Sequence, residues 1–166
     1  LCLFLRVATL KAHHVEYGLA LDTNHMMIRD QQHLTSNAKV DPADWIEEIE
    51  KQEDEFRWLH HFIVECDGRP IGFCQFYACE DSEELWEGYT AMGGSYSIDY
   101  MIGEPDWLRK GIGRQIVYAL IERITRHPDA QRIVVQPEEE NKASCGLLLS
   151  CGFVFDTQTG IYVKAI

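Results

Sequence analysis

Large apolar side chains recur along the chain at two spacings. Tyr96-Ser97-Ile98-Asp99-Tyr100-Met101-Ile102 alternates large apolar with smaller or polar residues, the period of a half-buried strand. Shortly after, Ile112, Ile116, Val117, Leu120, Ile121 and Ile124 fall on one helical face. Upstream, Leu1 to Thr9 reads as a first strand and Lys11 to Asp22 as a helix, with Leu10, His14, Val15 and Leu19 on one side; His25 to Val40 is polar and irregular. Asp41-Pro42 then supplies an N-cap aspartate with proline at the first helical position. The helix it starts is predicted through about Glu55, with Trp45, Ile46 and Ile49 on its apolar side. Leu59 to Cys66 and Ile71 to Ala78 are apolar runs flanking Asp67-Gly68-Arg69-Pro70, which predicts a hairpin. Glu80 to Gly94 is an acidic loop holding Leu85, Trp86 and Tyr89. Arg132 to Val135 reads as a short strand, and Phe153 to Asp156 with Ile161 to Lys164 as a terminal hairpin.

The turn between the alternating strand and the amphipathic helix carries the most chemistry. Arg109-Lys110-Gly111-Ile112-Gly113-Arg114 puts two glycines at a helix start, where bare backbone N–H groups and the positive end of the helix dipole favour an anion such as phosphate. Two nucleotide motifs are excluded by spacing. Lys110 precedes Gly111, so there is no G-x-x-x-x-G-K-[ST], and no third glycine follows Gly113 to make G-x-G-x-x-G.

Composition bounds the rest. With 166 residues, 46% hydrophobic and 11% aromatic, one domain spanning the whole chain can bury a core without a metal or disulfide staple. No apolar run reaches the length of a membrane span, and Leu1 to Val7 lacks the basic start and cleavage pattern of a signal peptide. The six cysteines contain no C-x-x-C pair and lie mostly inside apolar runs, as buried thiols of a cytoplasmic protein would. A net charge of -12 repels nucleic acid and anionic membranes and suits a cationic partner, although acidic runs also serve simply to keep a surface solvated.

The basic residues followed by Gly111-Ile112-Gly113 resemble the pyrophosphate loop of the GCN5-related N-acetyltransferases, [QR]-x-x-G-x-[GA], with Leu108 at its first position. Asn141 to Phe153 resembles a second motif of that family, N-x-x-[AS]-x-x-x-Y-x-x-x-G-F, with Asn141, Ser144, Gly152 and Phe153 in register and Leu148 where the tyrosine stands. Pro70-Ile71-Gly72-Phe73-Cys74-Gln75-Phe76-Tyr77, Leu85-Trp86-Glu87 and Ser97-Ile98-Asp99 are similar to stretches of the aminoglycoside 6'-N-acetyltransferases within it. The resemblance implies an α/β (α+β) fold, with a central, mostly antiparallel twisted sheet, helices on both faces, and acyl-CoA entering between the fourth and fifth strands.

It also implies roles for particular residues. Acetyl-CoA would be the co-substrate, with no metal. It would be held by backbone groups at Tyr100, Met101 and Ile102, by Arg109, Lys110, Gly111, Ile112, Gly113 and Arg114, and by Asn141 and Ser144. Aspartate is depleted in strands, so Asp99 stands out in this one; a buried carboxylate there could orient a cationic amine and take its proton. Trp45, Gln75, Tyr77, Trp86 and Glu87 would line the acceptor site. The position of the family's general acid is Leu148, and Gln136 stands where the aminoglycoside enzymes tend to carry an acid. Three functions stay open: an aminoglycoside acetyltransferase, an acetyltransferase for a polyamine, peptide or other small amine, and a non-catalytic acyl-CoA-binding module. The expected partner is a cationic small-molecule amine, with no nucleic acid and no membrane; homodimerisation is left open.

Overall fold

Asp67 and Gly68, with φ of 51° and 76°, make a two-residue turn of the kind whose twist matches the strands on either side. The computed structural model describes residues 5–9, 47–82 and 92–166. The turn joins β2 (His60–Cys66) to β3 (Arg69–Ala78), as the Asp-Gly pair predicts. Around this hairpin stand β1 (Leu5–Thr9), β4 (Ser95–Ile102), β5 (Arg132–Val135), β6 (Val154–Asp156) and β7 (Ile161–Ala165). Among the described residues these form one seven-stranded sheet in the order β1-β2-β3-β4-β5-β7-β6. Neighbours are antiparallel except β4 and β5, which run parallel and are joined by α1 (Ile112–Ile124). A second helix, α2 (Lys142–Ser150), follows β5.

The two faces of the sheet carry different cores. On one, Phe62, Val64, Cys74, Phe76 and Ile98 pack against the buried stripe Ile112, Ile116, Val117, Leu120 and Ile124 of α1 and against Leu148 of α2. That stripe is the helical period read from the sequence, now closed on a sheet. On the other face Ile63 and Phe73 pack against Ala8, Met101 and Ile49. Ile49 lies in the helical residues 47–50, so helical segments cover both faces.

That helix stops earlier than the sequence predicts. Residues 51–58 are turns, and Asp54 N–H already bonds back only three residues, to Lys51 C=O. Glu53, Asp54 and Glu55 would crowd negative charge onto the negative end of a longer helix, and Lys51 offsets only part of it, through Glu47 at 2.6 Å and Glu55 at 3.2 Å. The cysteine reading also needs one correction. Cys74, Cys79 and Cys151 are free and buried and Cys145 is free, but Cys66 is disulfide-bonded. Pairing Leu5 with Cys66 brings the N-terminal end of β1 beside that sulfur, a neighbourhood sequence spacing does not reveal. The expected helix at Lys11 to Asp22, the irregular stretch at 25–40, the aspartate–proline cap and most of the acidic loop lie outside the described residues. No helix among the described residues is long and apolar enough to cross a membrane.

The Pro-Ile-Gly run at the start of β3 has a local reason. The β2–β3 register shifts between Val64 and Glu65, which accommodates Pro70, and a Cβ on Gly72 would stand 2.3 Å from the carbonyl oxygen of Met101. Gly72→Ala should therefore push β3 off β4 and cost about 1–3 kcal/mol, read as a lowered urea midpoint with an unchanged slope. A wild-type midpoint would show that the strands are not held this closely.

Candidate functional site

β4 pairs with β5 only at Ser95↔Arg132, Tyr96↔Ile133 and Ser97↔Val134. β5 then ends at Val135, before Gln136 and Pro137, and proline has no N–H to carry the ladder on. β4 continues to Ile102, still paired with β3, so from Ile98 to Ile102 no strand among the described residues lies against its other edge. An exposed strand edge is a row of peptide donors and acceptors, able to bind the amides of an extended ligand.

The chain reaches α1 through a short 3-10 turn, Pro105–Trp107, and then takes a left-handed conformation at Arg109 (φ 59°) and at Gly111 (φ 78°). Gly111 is the helix N-cap and offers no side chain, so the first N–H groups of α1 are left for a ligand. Arg109, Lys110 and Arg114 stand exposed around them, with Lys110 lying 5.1 Å over the Trp107 ring. Gly113 has a packing reason as well. A Cβ there would meet Leu147 at 2.9 Å, so this glycine lets α2 close against the first turn of α1.

Asn141 caps α2, its Oδ1 accepting the Ser144 N–H at 3.1 Å. Ser144 Oγ lies 2.7 Å from the Tyr100 hydroxyl, a bond between the open part of β4 and the first turn of α2. Burial pushes the Tyr100 phenol up to about 12, so it stays protonated at neutral pH. Leu148 is fully buried in the core, and no polar atom takes the place of the family's tyrosine there.

On the opposite face Gln75 is paired across the strands with Asp99, and its Nε2 donates to Asp99 Oδ2 at 2.8 Å. Gln75 is 8% exposed and its Oε1 has no hydrogen-bond partner among the described residues. Tyr77 lies on the same face two residues along, buried, with its ring edge-on to Trp58 at 5.7 Å. Asp99 departs from the expectation of a buried carboxylate. It is exposed, because β4 has already left β5 at this point.

The open edge thus gathers Tyr100, Met101, Ile102, Asp99 and Gln75, while Arg109 to Arg114, Asn141 and Ser144 gather at the neighbouring starts of α1 and α2. Trp45, Trp86 and Glu87 lie outside the described residues. Two features escape the sequence reading. The Tyr100–Ser144 bond joins residues far apart in the chain, and His61, paired with Gln75 and 3.9 Å from Glu48, adds a buried histidine to the same face. Among the described residues no group of three His, Cys, Asp or Glu side chains is placed to hold a metal.

This arrangement has counterparts. Residues 28–160 match the model of the acetyltransferase (GNAT) domain family. The aminoglycoside N(6')-acetyltransferase type 1 of Klebsiella pneumoniae is 28% identical over 92 residues, which are 55% of this chain and 46% of that protein. The chain thus matches about half the length of that curated relative. Among solved structures, aminoglycoside acetyltransferase AAC(6')-Ib in complex with coenzyme A and kanamycin superposes with a TM-score of 0.74, at 20% identity, covering 98% of this chain and 95% of that one. The ribosomal L7/L12 alpha-N-protein acetyltransferase RimL gives a TM-score of 0.71 at 14% identity, covering 99% and 91%. At these identities the two structures speak for the fold.

The Asn141 cap makes a prediction that does not depend on function. Asn141→Ala should cost about 1 kcal/mol in a urea titration, since it orphans the Ser144 N–H, while Asn141→Asp should recover most of the loss. Equal midpoints for Asn141→Ala and wild type would remove the cap from the account of α2.

Proposed function

The chain belongs to the GNAT acetyltransferase family, and we propose that it transfers the acetyl group of acetyl-CoA to a primary amine of a cationic small molecule, the 6'-amino group of an aminoglycoside. The observation that carries this reading is the open edge of β4, flanked by the uncapped start of α1 on one face and by Asp99 with Gln75 on the other.

The residues fit an acyl-CoA. Its pyrophosphate would lie on the N–H groups at Gly111 to Arg114, with Arg109 and Lys110 neutralising charge, and its amide-bearing arm along the peptide edge at Tyr100 to Ile102. Acetyl-CoA supplies an acetyl group already activated as a thioester. The protein's part is to desolvate and aim the amine and to accept its proton. Asp99 is the group for that. Gln75 Nε2 holds Asp99 Oδ2 at 2.8 Å and so orients the carboxylate, which is exposed on the face of β4 away from α1. Gln75 itself is buried, so its part is to position Asp99 rather than to meet the amine.

The choice of an aminoglycoside rests on the Gln75, Tyr77 and Asp99 resemblance, on the Klebsiella pneumoniae relative and on the net charge of -12. A second reading keeps the chemistry and changes the acceptor to a polyamine or a peptide amine. The similar fold of RimL, a protein N-acetyltransferase by name, favours keeping it in view.

Release of free CoA, followed with a thiol reagent across aminoglycosides, spermidine and a short peptide, tests both. Release with aminoglycosides alone supports the first reading; release only with the others supports the second. Acetyl-CoA binding without release on any acceptor would overturn both in favour of a binding module. Asp99→Asn should lower kcat by about 100-fold or more while acetyl-CoA affinity stays near wild type. Unchanged kcat would take Asp99 out of the mechanism.

A further inference from the structure

Expelling CoA from its thioester puts negative charge on sulfur, and the position expected to hold a proton donor for it is a buried leucine. We propose that Tyr100, aimed by Ser144, is the proton donor to the departing sulfur. The inference rests on the transferase reading above and deepens it.

Three observations converge on this residue. Tyr100 belongs to the stretch of β4 that β5 leaves unpaired, so its backbone lies on the edge assigned to the arm of CoA. Its side chain stands on the α1 and α2 face, opposite Asp99, because successive residues of a strand point to opposite faces. Its hydroxyl is 2.7 Å from Ser144, in the first turn of α2, and the next turn of that helix touches Gly113 at the start of α1. The Tyr100–Ser144 bond thus ties the open stretch of β4 to the first turn of α2, which packs beside the start of α1. The amine meets Asp99 on one face of the strand, and the sulfur meets Tyr100 on the other.

The alternatives are placed elsewhere. Tyr118 is half exposed on the outer side of α1, and Tyr162 is buried and engaged with Cys145. Tyr100 keeps its proton at neutral pH, as a donor must.

The step balances. The amine nitrogen forms a bond to the carbonyl carbon, the carbon–sulfur bond breaks with its electron pair going to sulfur, and sulfur takes the phenolic proton. The phenolate regains a proton through Ser144 from solvent, and the proton lost by the amine goes to Asp99.

Tyr100→Phe keeps the ring and its packing and removes only the donor. The expected result is a fall in kcat of about 10- to 100-fold, at the low end for a general acid because a thiolate is a fair leaving group, with KM for acetyl-CoA unchanged. A second readout needs no turnover. Titration of bound CoA by its thiolate absorbance should give a lower thiol pKa in the wild type than in Tyr100→Phe, since a hydrogen bond to the charged form favours it. Ser144→Ala, whose backbone N–H still meets Asn141, should shift both readouts the same way by less. Equal thiol titrations in wild type and Tyr100→Phe, or a rise in KM with kcat preserved, would overturn the proposal and leave the Tyr100–Ser144 bond as structure. Failure of the wild type to bind CoA would instead overturn the transferase reading, and this inference with it.

Discussion

The parting of β4 from β5 after Ser97 is the constraint on which the rest depends. A parallel pair normally gains a hydrogen bond for each further residue, and here the gain ends after three paired positions. What permits the loss is local to β5: Val135 is its last paired residue, its partner there is Tyr162 of β7, and Pro137 follows without a donor. What makes the loss tolerable is that β4 remains fully laddered to β3 down to Gly72↔Ile102. One side of the strand is laddered and the other is unpaired among the described strands, so the backbone groups of that edge are held in fixed positions. Preorganised donors of this kind need no rearrangement when a ligand arrives.

From that edge the other features follow by packing. The crossover from β4 to a parallel β5 must travel over one face, and α1 is the element that makes the journey. Its start therefore lies near the C-terminal end of β4, and a helix start without a capping side chain is an anion site. Gly113 allows α2 to dock against this start through Leu147, and the docking brings Ser144 to Tyr100. Binding by backbone also explains why Leu108 can occupy a position where the family pattern has a polar side chain. Leu108 is 45% exposed, and the donors nearby belong to the peptides of α1.

Much of this was legible in the sequence where a feature is local. Asp67-Gly68 fixed its hairpin because both residues adopt positive φ readily, and the stripe from Ile112 to Ile124 marked a helix buried on one side. The glycines of the loop identified the helix start because a turn of this shape excludes most side chains. Features made by chain segments that meet only in three dimensions stayed hidden. Nothing near Tyr100 in the chain announces Ser144, and nothing near Gln75 announces His61, because each partner is set by strand register or helix docking. The exposure of Asp99 is hidden for the same reason: alternation gives the face on which a residue lies but not how far the neighbouring strand extends.

The face that carries Asp99 shows how stability and chemistry are divided within one sheet. Ile63 and Phe73 are directly opposed on β2 and β3 and form an apolar pair. Two residues along, on the same face, the opposed pair is His61 and Gln75, both buried, with His61 Nδ1 and Gln75 Oε1 lacking partners among the described residues. Each unpaired buried polar atom costs about 1–3 kcal/mol, so an apolar pair like its neighbour would make a more stable sheet. Packing alone gives no reason to keep the polar pair. Gln75 has one in Asp99, which it holds at 2.8 Å, and His61, opposed to Gln75 and 3.9 Å from Glu48, extends the polar row towards a second carboxylate. The row runs across three adjacent strands and ends at the edge where β5 is absent, so the least stable rung of this face lies beside the opening it serves.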